Sequence, residues 1–289
     1  MKQEVRRAES RLSVGAVPLE RHTSGQAGLK EGTDQSKVLE CAMQAGSILL
    51  RSGAEIFRVE ETIVRICGHF GVESEKAFVL SNGIFMTAGD EKEPAYARVA
   101  HIPVSGARLD RVDAVNQLSR EIEEGRYTIK EVKNCLNEIE RMPGKPSKIK
   151  ILACAAGSGC FCLMFGGSLS DCLCAFAAGL LLYLYVLYCF EPHLSKIIGN
   201  IGGGAVVTVL CILMVLLRLG DSLTPMISGA IMPLIPGVAF TNGVRDIADG
   251  DYIAGSVRLM DALLVFVCIA VGVGVVITVY HRMTGGILL

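Results

Sequence analysis

The sequence predicts an α+β N-terminal domain followed by an all-α membrane domain of about five transmembrane helices. Three observations carry this. Of 57 charged residues, 45 fall in the first 150 positions and only 12 in the remaining 139. The charge-rich part alternates helical and strand periodicities. The charge-poor part holds five apolar stretches approaching the length, about 17 to 25 residues, that a helix needs to cross hydrocarbon.

Residues 1–35 mix both charges with Gly, Ser and Pro, lack an apolar signal core and read as a disordered tail. The compact domain spans 36–142. In its first helix Val38, Leu39, Ala42, Ala45, Ile48 and Leu49 share one face, and Gly53 supplies the stop. A second helix, about 55–70, carries Ile56, Val59, Ile63, Ile66 and Phe70 as its stripe. Two β-prone runs flank Ser81-Asn82-Gly83, where Asn-Gly offers the positive φ of a tight hairpin, and ARVAHIPV is a third strand. Two polar helices follow, about 110–124 and 130–141, the last with Thr128 and Glu131 at capping-box spacing.

Residues 143–150, rich in Pro and Lys, form a linker into spans expected at 151–167, 172–190, 197–217, 226–241 and 262–280. Arg141, Lys145, Lys148 and Lys150 precede the first span and no cation follows it in the GSLS turn. The positive-inside rule therefore predicts a multi-pass plasma-membrane protein with a cytoplasmic N-terminal domain and an outside C-terminus.

A net charge of −1, with no basic stripe, gives no reason to expect nucleic acid. Eight of the 11 cysteines lie beyond position 150 in apolar surroundings, which favours reduced, buried thiols over a disulfide framework. Cys160/Cys162 and Cys172/Cys174 have C-x-C spacing but no supporting His or Asp, and His69 and His101 lack partners at ligand spacing, so no metal or other cofactor is expected. The glycine-rich GNIGGGA is no phosphate loop, lacking a preceding strand and a lysine; Gly199-x-x-x-Gly203 is expected to let helices approach closely.

The stretch from 231 to 261 raises the functional question. Pro233, Pro236 and Gly237 break an apolar run, and Thr241, Asn242, Arg245, Asp246, Asp249, Asp251, Arg258 and Asp261 follow it. Broken helices beside charged groups are how secondary transporters build midplane sites. A helix continuing past Gly243 would put Asn242, Asp246 and Asp249 on one face, with Arg245 a turn from Asp249. Arg245 could then hold a carboxylate in bidentate fashion, with Thr241, Asn242 and Asp246 completing the substrate site. Asp246, Asp249 and Asp261 are the candidates for carrying a proton. The bland alternative is a solvated loop over 243–257 with turns at Gly243, Gly250 and Gly255. Glu55, Arg58, Glu60 and Glu61 form a dense charge set that would ordinarily be a solvated helix face.

PLIPGVAFTNGVRDIADGDYIAGSVRL, with SGAEIFRVEETIVRICGHFGV and the NGIFMTA strand, resembles the threonine/serine exporter family. The family signature is matched by Pro236, Gly237, Thr241, Asn242, Arg245, Asp246, Gly250 and Asp251, and the likeness covers about 36–280. The resemblance implies export of a small carboxylate-bearing metabolite, threonine, serine or a C4-dicarboxylate such as succinate. Fused members carry a second hydrophobic module. This sequence stops after five spans and is closer to split members, whose larger subunit works with a small separate membrane protein; self-association is compatible with that. The resemblance also raises the expectation that the Glu55–Glu61 set orders the N-terminal domain or gates the pore.

The leading expectation is a non-enzymatic, proton-driven exporter subunit in the lipid bilayer. The alternatives are a membrane-tethered enzyme with its chemistry in 36–142, and a non-transporting sensor or assembly subunit.

Overall fold

The computed structural model describes residues 35–72, 76–88, 96–102, 106–190 and 194–284. The expected tail, apart from Gln35, and the end of the third strand beyond Ile102 lie outside them.

In the N-terminal domain α1 (Gln35–Arg51) and α2 (Ile56–His69) bury the apolar faces that their periodicity marks. Val38, Leu39, Ala42, Ala45, Ile48 and Leu49 are all buried, as are Ile56, Val59, Ile63 and Ile66. Each large aliphatic side chain removed from water contributes about 1.5–3 kcal/mol. Gly53, at φ 81, turns the chain out of α1, with Ala54 N–H donating to Leu49 O at 3.0 Å.

Strands β1 (Lys76–Leu80), β2 (Gly83–Ala88) and β3 (Tyr96–His101) form an antiparallel sheet in that order. Val79, Ile84 and Met86 point into the core, while Phe78, Phe85 and Val99 pair across the opposite face. The β1–β2 turn departs from expectation. Leu80 pairs with Gly83, so Ser81 and Asn82 make the turn, and neither Asn82 nor Gly83 has positive φ. Helices α3 (Leu109–Glu123) and α4 (Ile129–Arg141) close the domain, separated by Gly125 at φ 75. The Glu131 carboxylate reaches back to Thr128 N–H at 2.8 Å, as the capping spacing predicts.

Beyond the linker come α5 (Ser147–Met164), α6 (Leu169–Tyr185) with a π-turn Val186–Phe190, and α7 (Lys196–Leu216). Next are α8 (Leu223–Ile231), a 3₁₀ turn Met232–Leu234, α9 (Gly237–Ala248) and α10 (Tyr252–Thr284). Among the described residues, four helices are long and apolar enough to cross a membrane. The expected fourth span, 226–241, is not one helix. The segments Leu223–Leu234 and Gly237–Ala248 meet at 67°, at the break that Pro233, Pro236 and Gly237 mark. Those prolines have no N–H to give, and the donors between and after them bond locally, Ile235 N–H to Met232 O and Gly237 N–H to Ile235 O.

Two other boundaries move. The first span begins at Ser147, inside the expected linker, with Pro146 just ahead of it. The last begins at Tyr252, ten residues before the expected 262, so Arg258 and Asp261 are helical rather than in a loop. Composition located the apolar part of that helix and missed its polar start, which is stabilised by protein contacts instead of lipid. Ala254, in its first turn, belongs to the N-terminal domain's own core cluster.

The glycine expectation also shifts. At Gly199 and Gly203 an added Cβ would meet the side chains of Phe190 and Leu234. The close α7–α10 backbone approach belongs to Gly204, whose Cβ would lie 2.7 Å from Ile269 O, and to Gly272, which faces Ile201 O. At the opposite end of the bundle from the N-terminal domain, buried Asp171 ties two loops together. Its Oδ1 accepts Asp221 N–H at 2.7 Å and Ser222 N–H at 3.0 Å, while Oδ2 accepts Ser168 N–H at 3.0 Å.

Candidate functional site

The loop between α1 and α2 meets the α9–α10 hairpin. Gly250, at φ 95, turns the hairpin, and Asp251 Oδ1 accepts Ala254 N–H at 3.1 Å to start α10. Gly243 and Gly255, turn residues in the loop alternative, are helical, as a helix continuing past Gly243 requires, and let the helices cross. A Cβ on Gly255 would sit 2.8 Å from both Gly243 O and Ile247 N. Only glycine permits that separation.

This crossing presents α9 side chains to residues 53–56. Asn242 Nδ2 donates to Gly53 O at 2.8 Å. Arg245 Nη1 donates to Glu55 Oε1 at 2.7 Å. Asp246 Oδ1 accepts Ile56 N–H at 3.2 Å, and its Oδ2 accepts Arg258 Nη1 at 2.9 Å. Arg258 Nη2 then donates to Ala54 O at 2.9 Å.

The reason lies in helix ends. Glu55, the N-cap of α2, makes no side-chain cap hydrogen bond. The first amides of a helix need acceptors and carry positive partial charge. Asp246, 190 positions away in sequence, supplies an acceptor and a negative charge there. Its own charge is neutralised by Arg258, with side-chain exposures of 1% for Asp246 and 13% for Arg258. Such a pair holds mainly because breaking it would leave an uncompensated buried charge.

Arg245 stands differently. Its side chain is 49% exposed, and its guanidinium lies 5.1 Å from the Phe57 ring centroid. Glu55 is shared, since its other oxygen takes Arg58 Nε at 2.6 Å. Asp249 lies 3.9 Å from Arg245 Nε, one turn along as expected, with its carboxylate half exposed. The Thr241 hydroxyl is turned to Gly237 O at 2.9 Å, within its own helix.

The structure thus brings Asn242, Arg245, Asp246 and Asp249 to the C-terminal half of α9, at the end away from the proline break. Asn242 and Asp246 face the N-terminal domain, whereas Asp249 stays at the rim. Asp261 pairs elsewhere, with Lys196 of α7 at 2.5 Å.

Sequence reasoning noted Arg258 in the charge cluster but left open whether it was solvated and gave it no role, and it missed the carbonyls of Gly53 and Ala54. Glu55 was flagged only through the SGAEIFRVEE resemblance. Glu60, from the same charge set, faces inward; its carboxylate accepts Val79 N–H at 3.2 Å and burial raises its pKa. Sequence reasoning also missed Asp171, although the capping-box spacing of Ser168 and Asp171 is a signal that could have marked it. For the enzyme alternative, Cys41 is buried and its thiol is pushed up to about 11, opposite to an activated nucleophile. Among the described residues no group of His, Cys, Asp or Glu could hold a metal ion.

Long apolar helices, one of them broken beside a charged hairpin, define a multi-pass membrane protein with a polar site at a helix end. A family model described as "Putative threonine/serine exporter" matches residues 40–280. The chain belongs to that family. Among its relatives is the "Probable succinate transporter subunit YjjP" of Klebsiella aerogenes, 22% identical over 86% of this chain and 96% of that protein. The Escherichia coli protein of the same description is 24% identical over 85% of this chain and 96% of its own. The "Threonine/serine exporter" of Corynebacterium glutamicum is 22% identical over 84% of this chain and 52% of that protein. No solved structure matches the chain.

Proposed function

We propose that this chain is one subunit of a secondary active exporter of small carboxylate-bearing metabolites, either threonine/serine-type amino acids or C4-dicarboxylates such as succinate. The observation that carries the reading is the state of Arg245. Its guanidinium stands in the last turn of α9, about 12 Å along the helix from the break at Gly237, half exposed, and already holds a carboxylate, that of Glu55, at 2.7 Å. A cargo carboxylate has the same chemistry and would take the same donor. Thr241 and Asn242 flank it on α9, and the reoriented backbone at Pro233, Pro236 and Gly237 lines the approach.

Proton coupling belongs in this reading to Asp249 and Asp261, which are half exposed and, among the described residues, each paired with one cation. Asp246, with a donor on each oxygen, holds the domains together.

The membrane topology that fits has the N-terminal domain in the cytoplasm, five crossings and an outside C-terminus. The bent α8–α9 pair supports it, because Ser222, just before α8, is tied to Asp171 at one end of the bundle and Asp246 touches the N-terminal domain at the other. A fourth crossing is what connects those ends. The partner is a small membrane protein. The YjjP relatives are named as subunits, and the longer Corynebacterium protein aligns over about half its length.

The test is efflux from cells of the native host after replacing the chromosomal copy with Arg245→Ala. Export of the cargo should fall to the level of the deletion strain, and export at the wild-type rate would remove Arg245 from the site.

A further inference from the structure

The contacts between residues 53–56 and the hairpin fall into two tiers. The Asp246–Arg258 pair is buried, whereas the Arg245–Glu55 pair joins a half-exposed guanidinium to a carboxylate with a second cation on its other oxygen. We infer that Glu55 is an intramolecular competitor for the cargo site. The N-terminal domain docks on α9 by offering Arg245 a carboxylate, and an arriving cargo carboxylate displaces it. This rests on the cargo reading above.

Physical chemistry favours such an exchange at Arg245 and nowhere else in the interface. Replacing one carboxylate by another leaves the charge around Arg245 unchanged. The displaced Glu55 is not stranded, because Arg58 lies 2.6 Å from its Oε2 on the same helix turn. Phe57 remains beneath the Arg245 guanidinium, keeping a face for the cation while the ligand changes. Displacing Asp246 from Arg258 would instead leave a largely buried guanidinium with the Ala54 carbonyl but no counter-charge from Asp246. The inner tier therefore tethers the domain while the outer tier opens. Glu55 then sets how much cargo is needed before the site loads.

The experiment compares the full-length wild type with Glu55→Gln, using L-threonine and succinate separately as probes. Amide hydrogen exchange across 52–58 is read in lipid nanodiscs, and efflux of the same probes is read in host cells. A transported probe should accelerate exchange across that segment in the wild type, by about tenfold for the loss of one charge-assisted hydrogen bond. Glu55→Gln should exchange at the faster rate with no probe, and its efflux should half-saturate at a lower internal concentration. Glu55→Asp, shorter by one methylene, should shift both readings the same way and serves if the Gln variant does not fold. Efflux lost in Arg245→Ala but unaltered in the Glu55 variants, with unaltered exchange, overturns the competitor and spares the cargo reading. A wild type that moves neither probe, and whose exchange neither probe alters, overturns both.

Discussion

Asp246 and Arg258 form an ion pair across the α9–α10 hairpin, 2.9 Å between Oδ2 and Nη1, and both also bond the α1–α2 loop. The pair is thus an architectural joint between the charge-rich N-terminal and the apolar parts of the chain. Replacing Asp246 by Ala should cost about 3–5 kcal/mol, because Arg258 is left charged and buried. Thermal unfolding in detergent should show the Asp246→Ala/Arg258→Met double variant recovering part of that loss. Additive losses would mean that the two side chains act independently.

The hairpin crossing makes a contrast between two glycines. Gly255→Ala places a methyl 2.6 Å from Ile247 Cγ1 and 2.8 Å from backbone atoms of α9. It should destabilise by about 1–3 kcal/mol through forced separation of the helices. Gly237→Ala, at the start of α9, meets nothing within 4 Å and should leave the melting temperature nearly unchanged. Equal melting temperatures for the two variants would show that the close crossing is not required.

Asp171 is the joint at the other end. Asp171→Ala leaves the amides of Ser168, Asp221 and Ser222 without their acceptor. Each costs about 1–3 kcal/mol if it stays buried and unpaired. Limited proteolysis should then cut at 217–222 faster than in the wild type, and an unchanged cleavage pattern would show that water replaces the carboxylate.

A pH effect is expected at the linker. Arg108 bonds Asp110 through two contacts, 2.9 and 2.8 Å, and also reaches Met142 O and Pro143 O at 3.3 Å. The Arg108 hydrogen bond holds the Asp110 carboxyl below its usual range. A carboxyl with a lowered folded-state pKa contributes stability that is full above its unfolded value. That contribution is lost as pH falls through the folded value. Asp110→Asn should flatten this part of the acid-denaturation curve, and a curve parallel to the wild type would place the acid sensitivity elsewhere.

Much of the N-terminal domain was legible because its signals are local. The stripe of α1, the stop at Gly53 and the Thr128–Glu131 spacing each concern neighbours within a few turns. The break at Pro233 and Pro236 was legible for the same reason. The start of α10 was not, since Tyr252 to Asp261 is held by Ala254 in a distant core and by Lys196, and hydropathy reads only lipid-compatible stretches. At the site, Asn242, Arg245 and Asp246 stood out as polar groups beside an apolar run. Their partners did not, because Gly53 O, Ala54 O and Ile56 N–H are backbone groups that every sequence possesses, brought there by tertiary folding.

The most direct measurement is export of threonine, serine and succinate from host cells carrying wild-type, Arg245→Lys or Arg245→Ala chains at matched membrane abundance. For the cargo the wild type exports, the Ala variant should give none above the deletion background. The Lys variant should retain the charge but lose the planar two-point donor, and export less than the wild type. Wild-type export by the Ala variant would contradict the assignment of the cargo site to Arg245.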